Sequence, residues 1–167
     1  SGICMAHYLK NDCPNKSFAI LEARDRIGGT WDLFQYPGVR SDSDMATLGD
    51  RFRPWKEEQQ IADGPSILKY IKETAEEENT YEHILFNHKL TKADWSSKDK
   101  KWSLKVNHKD NKASQLTCSV LVSCTGYYDY EKGYTPNFEG IDQFQGKVLH
   151  PQKWPEDLNY DNQKIVV

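Results

Sequence analysis

A helix with no strand before it and a strand with no helix after it bracket this chain. Ser1-Gly2 runs directly into an apolar helical pattern, Ile3-Cys4-Met5-Ala6-His7-Tyr8-Leu9. That pattern ends at Asn11-Asp12, ahead of Pro14, and predicts a helix over residues 2–12. Ser17 to Leu21 is a short continuous apolar run, the pattern of a buried parallel strand. The closing residues Lys164-Ile165-Val166-Val167 read as the start of another strand. The expectation is a piece of a larger α/β protein, cut within a motif at each end.

Between those ends the period changes. Gly64-Pro65-Ser66 opens a helix with Ile67, Tyr70 and Ile71 on one face, and Glu76-Glu77-Glu78 close it. Acid at a helix C-terminus opposes the dipole, so that end is expected to fray. Asp44 to Asp50 reads as a short helix, and residues 30–43 as a long loop rich in Pro, Gly and aromatic residues. From residue 84 the alternation is two, through Ile84-Leu85-Phe86, Leu90 to Trp95 and Trp102 to Val106, with a charged turn at Ser96 to Lys101. Leu116 to Ser123 is a further predicted strand, ending in Cys124-Thr125-Gly126. There is no internal repeat. Strand, helix, strand, then a meander and a return strand predict an α/β core with a β insertion.

Net charge is −3 and the pI is near 6.0, so no nucleic-acid partner is expected. No apolar run is long enough for a membrane helix. Cys4, Cys13, Cys118 and Cys124 lack Cys-x-x-Cys spacing; they read as reduced thiols of a cytoplasmic protein, with no metal site.

Three constellations carry chemistry. Glu22 stands 20 positions after Gly2. In a dinucleotide-binding fold the last glycine of the phosphate loop allows close helix–strand packing, and an acid about 20 residues on ends the second strand and binds a ribose hydroxyl. Glutamate there favours a free 2′-hydroxyl. An ordinary glycine and a surface glutamate are the plain alternative. The second constellation is Gly28-Gly29-Thr30-Trp31 followed by Tyr36-Pro37-Gly38-Val39-Arg40-Ser41-Asp42. A glycine pair admits close backbone approach, and an indole beside it offers a stacking wall. A turn, a core tryptophan and a helix N-cap at Asp42 are the bland alternatives. The third is Phe144-Gln145-Gly146, His150 and Trp154-Pro155, alternatively a proline-flanked linker with a solvent-facing histidine.

Residues 28–42 match G-G-x-W-x-x-x-x-Y-P-G-x-x-x-D, and residues 144–155 match F-x-G-x-x-x-H-x-x-x-W-P. Both patterns resemble fingerprints of Baeyer–Villiger monooxygenases among the class B flavin monooxygenases. The run from Tyr36 to Met45 with Phe52-Arg53-Pro54-Trp55 looks like a subgroup that takes long-chain or bulky ketones and sulfides. The similarity extends over the whole chain.

The resemblance implies a Rossmann-like FAD-binding domain of the three-layer ββα type with a β-meander insertion, truncated at both ends. It implies an FAD domain over 1–126 lacking its first strand, a linker over 127–160, and the first strand of an NADP-binding domain at 161–167. It also implies FAD and NADPH as cofactors, O2 and a small ketone or sulfide as partners, and insertion of one oxygen atom to give esters or lactones. The cofactor supplies the hard chemistry and the protein positions it.

By the same resemblance, Gly2 supports the pyrophosphate turn and Glu22 holds the adenosine ribose. Gly29, Thr30, Trp31, Asp32 and Leu33 run along the flavin. Arg40, Ser41 and Asp42 lie where flavin and nicotinamide meet. Asp42, a buried carboxylate, orients a catalytic arginine that lies beyond Val167. Leu48 and the backbone of Leu90 are further cofactor contacts. His150 is a conformational or cofactor-positioning residue. The chain by itself, without the phosphate-binding glycines, is expected neither to hold FAD tightly nor to turn over. An N- or S-oxygenating flavin monooxygenase, a nucleotide-binding module without turnover, and a structural domain are the competing readings.

Overall fold

The computed structural model describes residues 1–167. Helix α1 (Gly2–Asp12) leads to strand β1 (Ile20–Leu21), then to two single-turn helices, α2 (Thr30–Leu33) and α3 (Met45–Leu48). The long helix α4 (Gly64–Glu77) is followed by strand β2 (Ile84–Leu85). A meander of β3 (His88–Ser96), β4 (Lys101–His108) and β5 (Ala113–Cys118) completes the regular structure. Strands β1 and β2 pair in parallel, Ile20 with Ile84 and Leu21 with Leu85. The connection through α4 is therefore a βαβ crossover, the unit of a Rossmann-like fold.

Local chemistry explains α4. Asp63 caps it, its carboxylate accepting the Ser66 amide at 2.8 Å, and Pro65 lies in the first turn. Ile67, Tyr70, Ile71, Thr74 and Ala75 recur at helical spacing and form one stripe. The upper part of the stripe packs with Met45, Ala62, Trp31 and Trp55. The lower part packs with Ile27, Ile84, Ile3, Ile20 and Phe86. Ile71 touches both clusters.

The acidic end of α4 is tied down rather than frayed. Glu77 accepts from Arg53 at 2.8 Å and Glu78 accepts from His7 at 2.7 Å, while Lys10 donates to the Glu78 carbonyl. Bases from α1 and from the loop before α4 offset the unfavourable dipole. His7 also stacks on Phe52, with ring centroids 3.6 Å apart.

In the meander Leu104 and Val106 are buried, and each faces partners on both neighbouring strands, Leu104 with Ala93 and Leu116, Val106 with Leu90 and Ser114. The β3–β4 register shifts between Leu90 and Lys92. Thr91 occupies that irregularity and donates its hydroxyl to the Lys105 carbonyl at 3.1 Å.

Several predicted boundaries move. The first strand covers two residues rather than the run from Ser17, and Ile20 and Leu21 are only half-buried, because β2 is their one neighbour and α1 covers one face. Residues 30–43, predicted as loop, contain α2, started by backbone bonds from Asp32 and Leu33 to Gly29. The final strand is Ala113–Cys118, not Leu116–Ser123; Val120 and Val122 have no strand beside them and are exposed. Residues 164–167 carry no strand and are exposed for the same want of a partner. After Cys118 only two short 3-10 turns occur, Ile141–Gln143 and Pro151–Lys153. No helix is long and apolar enough to cross a membrane.

Met45 is 1% exposed at the centre of its cluster. Met45→Ala should lower unfolding stability by about 3 kcal/mol, read as a drop in the urea midpoint. Hydrogen bonding by Arg53 holds the Glu77 carboxyl below its ordinary value of 4.5. A carboxyl lowered in this way stabilises the fold above its unfolded pKa, and the contribution is lost as pH falls through the folded value. Urea midpoints of wild type and Glu77→Gln should therefore differ at pH 7 and converge as the pH drops below 4.5.

Candidate cofactor site

The carboxyl ends of β1 and β2 place Glu22 at the edge of the parallel pair. Its amide donates to Leu85 and its carbonyl accepts from His88, which continues the ladder one step past the strand. Carboxylate oxygen Oε1 accepts the Arg24 amide at 2.9 Å, and Oε2 has no partner within the chain. A half-buried acceptor at a strand end suits a ribose hydroxyl. Gly2 opens α1 beside this strand. A Cβ there would meet Ile20 at 3.8 Å, an ordinary contact, so helix–strand packing alone does not require glycine.

The Gly28-Gly29 turn is different. Gly28 has φ of 117°, and a Cβ on it would collide with Leu68 of α4 and lie 2.8 Å from the Asp32 Cβ. Only glycine fits where this turn rests on the helix. Gly29 follows with φ of 53°. Trp31 lies half-buried against the Met45 cluster, so its indole is both core and wall. Thr30 and Leu33 are half-buried on the same turn.

Asp32 is buried, 7% exposed, and its Oδ2 takes hydrogen bonds from Arg24 and from Arg26, the latter at 2.8 Å. The structure thus makes Asp32 the anchor of two arginines beneath the turn. The Arg24 guanidinium also lies 5.7 Å from the Tyr130 ring centre, and the Tyr130 hydroxyl lies over Gly29.

Residues 39–45 form a strap that is extended to Ser41, bends at Asp42 and Ser43, and enters α3 at Met45. Gly64 N donates to Val39 O at 2.8 Å, Ser41 N to Ala62 O at 2.9 Å, and Met45 N to Gln60 O at 2.9 Å. Arg40 bridges Asp63 in the same antiparallel sense and points its exposed side chain outward. Ser41 is buried; its hydroxyl donates to the Ser43 carbonyl and accepts the Ser43 amide. Asp42 itself is exposed, which corrects the expectation of a buried carboxylate: the strap buries Ser41 and Met45 and turns Asp42 to solvent. Nor does Asp42 cap a helix. Asp44 caps α3, accepting Thr47 N at 2.8 Å, and those bonds hold its carboxyl below the usual range. The Tyr128 phenol is pushed up, first by its hydrogen bond with Tyr127 and then by burial, with the charges of Tyr36 and Asp42 adding to it.

Leu48 ends α3 and is half-exposed, and Leu90 sits at the register shift of β3. His150 caps the Pro151–Lys153 turn, its Nδ1 accepting Gln152 N at 3.2 Å. Its ring covers Gly133 so closely that no Cβ could stand there. Gln152 also donates to the Asp129 carbonyl at 2.8 Å. The second fingerprint is thereby fixed to residues 129–133, and those residues reach the glycine turn through Tyr130.

The profile of flavin-binding monooxygenase-like proteins matches residues 50–167, and that of NAD(P)-binding Rossmann-like domains matches residues 1–57. The chain belongs to the flavin-binding monooxygenase-like family. FAD-containing monooxygenase EthA of Mycolicibacterium smegmatis is 54% identical over 167 residues, all of this chain and 34% of the relative. EthA of Mycobacterium tuberculosis is 53% identical over the same span. The chain spans about a third of the length of these curated relatives. Among solved structures, OTEMO in complex with FAD and NADP is 29% identical with a TM-score of 0.71, covering 93% of this chain and 28% of that one. Oxidized steroid monooxygenase bound to NADP is 25% identical with a TM-score of 0.73, covering 93% and 29%.

Sequence reasoning passed over Arg24, Arg26, Tyr130 and Gly133, and read Arg53 only as part of the run Phe52-Arg53-Pro54-Trp55. No local pattern could have paired Tyr130 with a turn a hundred residues earlier.

Asp32→Ala should leave Arg24 and Arg26 without their shared acceptor and cost about 3 kcal/mol. Gly28→Ala should destabilise through both strain and collision, by about 2 kcal/mol or more. Chemical denaturation of each variant beside wild type checks both.

Proposed function

We propose that this chain is the FAD-binding portion of an FAD- and NADPH-dependent monooxygenase that inserts one oxygen atom of O2 beside the carbonyl of a ketone. Esters or lactones are the products, and thioethers are a second substrate class. In this reading residues 1–126 belong to the FAD domain, 127–160 form the link, and 161–167 begin the NADP-binding domain.

The observation that carries it is the joint placement of the glycine turn, the Trp31 wall and the Asp42 strap against one helix. The chain's own residues then divide the work. Glu22 offers its unpaired Oε2 to the ribose, and Gly2 leaves the start of α1 clear. Gly29 and Thr30, Trp31 and Leu33 border the flavin, with Asp32 holding the turn from below through Arg24 and Arg26. Arg40 and Asp42 project from a fixed backbone into solvent, where a second domain and a nicotinamide would meet them. Asp42 orients a cation supplied from that side, and an ionised carboxylate suits that task. Leu48 and Leu90 border the cofactor at the two ends of the site. His150, seated on Gly133, sets the path of the link and so the approach of one domain to the other. FAD, when bound, supplies the oxygen-transfer chemistry.

The run Tyr36-Pro37-Gly38 through Asp42 and the likeness to OTEMO and steroid monooxygenase favour ketone oxygenation over N-oxygenation. A nucleotide-binding module without turnover is the alternative that the same assays address.

The full-length protein, loaded with FAD, should consume NADPH faster with linear, cyclic or aryl ketones and yield esters or lactones. Asp42→Ala should keep FAD but lower product formation by about a hundredfold or more, as when one charge-orienting group is lost. Sulfoxide from thioethers with no ester from any ketone would assign the protein to the other branch.

A further inference from the structure

Asp42 touches little, so something else must hold it in place. Its strap takes three backbone bonds, all from residues 60–64. Those residues end a loop, 50–63, that has no helix or strand of its own. The loop would be a poor template unless its other end were fastened.

It is fastened at Arg53. Nε donates to Glu77 Oε2 at 2.8 Å and Nη2 to Glu77 Oε1 at 3.0 Å, a two-pronged bond, while Nη2 also reaches Glu73 Oε2 at 2.9 Å. Glu73 and Glu77 stand one turn apart on α4, so they present their carboxylates together. The guanidinium lies 4.9 Å from the Tyr70 ring centre. Tyr70 Oη donates to the Arg53 carbonyl and accepts the Asp50 amide at 2.8 Å. Trp55 packs edge-on to Tyr70 at 5.5 Å and donates its indole N–H to Gln59 O at 3.1 Å. The path from α4 to the strap is continuous: Glu77 and Glu73, Arg53, Tyr70 and Trp55, Gln59 to Ala62, then Ser41 and Met45.

We infer that Arg53 is a positioning residue for Asp42, acting through the 50–63 loop rather than by contact. The inference rests on the reading of Asp42 given above. A planar fork that meets two carboxylates and a ring face resists rotation in a way a single ammonium does not. Arg53 therefore fixes where the start of the loop sits on α4, and with it the path the loop takes back to the strap. Loss of the fork should loosen the strap and leave the lower part of α4 in place, since Ile71 and Ala75 pack in the cluster of Ile27, Ile84, Ile3, Ile20 and Phe86, none of them in the loop.

Hydrogen exchange on the full-length FAD-bound protein tests this. In Arg53→Ala, amides of residues 39–45 and 60–64 should exchange about tenfold faster, while those of 71–75 stay within about twofold of wild type. Product formed per NADPH consumed should fall with them, and Arg53→Lys should recover part of both. If Arg53→Ala does not fold, Glu77→Gln carries the same measurement. Unchanged exchange across 39–45 in a folded variant, or an equal rise across 71–75, would overturn the inference. Should Asp42→Ala leave oxygenation intact, the reading of Asp42 fails on its own, and the exchange data still decide whether Arg53 holds the strap.

Discussion

The side chains of Ile67, Tyr70, Ile71, Thr74 and Ala75 lie along one stripe of α4, and both apolar clusters close on that stripe. Nothing else in the chain offers a comparable surface. Strands β1 and β2 hold two residues each and are too short to stand alone. The Gly28 turn rests on Leu68, the loop before α4 is fastened to Glu73 and Glu77, and the capping Asp63 pairs with the strap at Arg40. Apolar contact along the helix thus places three polar loops against α4.

Charge then refines what packing began. Asp32 is the buried acid and Arg24 and Arg26 are its partners. Arg26 is well exposed, so its contribution is small, whereas Arg24 is largely enclosed. An acid below the turn and arginines around it orient the backbone that would face a flavin. Farther out, Lys89 pairs with Glu131, which pulls residues 129–133 toward the β3 end of the site. Asp129 is lowered by the Glu131 amide and keeps that segment turned.

Much of this was legible in the residues. The 3.6-residue spacing in α4 and the two-residue spacing in β3 and β4 mark those elements clearly, and the glycine pair marks its turn. Gly28 could be assigned to a turn, but not to a collision with Leu68, because that contact depends on how α4 crosses. Asp42 was expected to be buried from the family resemblance; the structure buries Ser41 and Met45 and leaves Asp42, in the bend between them, exposed. The strand at Leu116 to Ser123 was read from composition. Pairing stops at Cys118, since a strand exists only where another backbone lies alongside. Arg53 was seen only as part of a short run, and its role was not, because its partners are 20 and 24 residues away on a helix face that carries no visible motif.

Two separated aromatic-and-glycine fingerprints are connected here through Tyr130, Gly133 and His150. The central claim is that both serve one flavin. A crystal structure of the full-length protein with FAD bound tests it most directly. The account predicts a Glu22 oxygen within hydrogen-bond distance, about 3 Å, of a ribose hydroxyl, with the isoalloxazine ring between Trp31 and the Asp42 strap. A flavin bound elsewhere, with Trp31 and Asp42 both out of its reach, would contradict it.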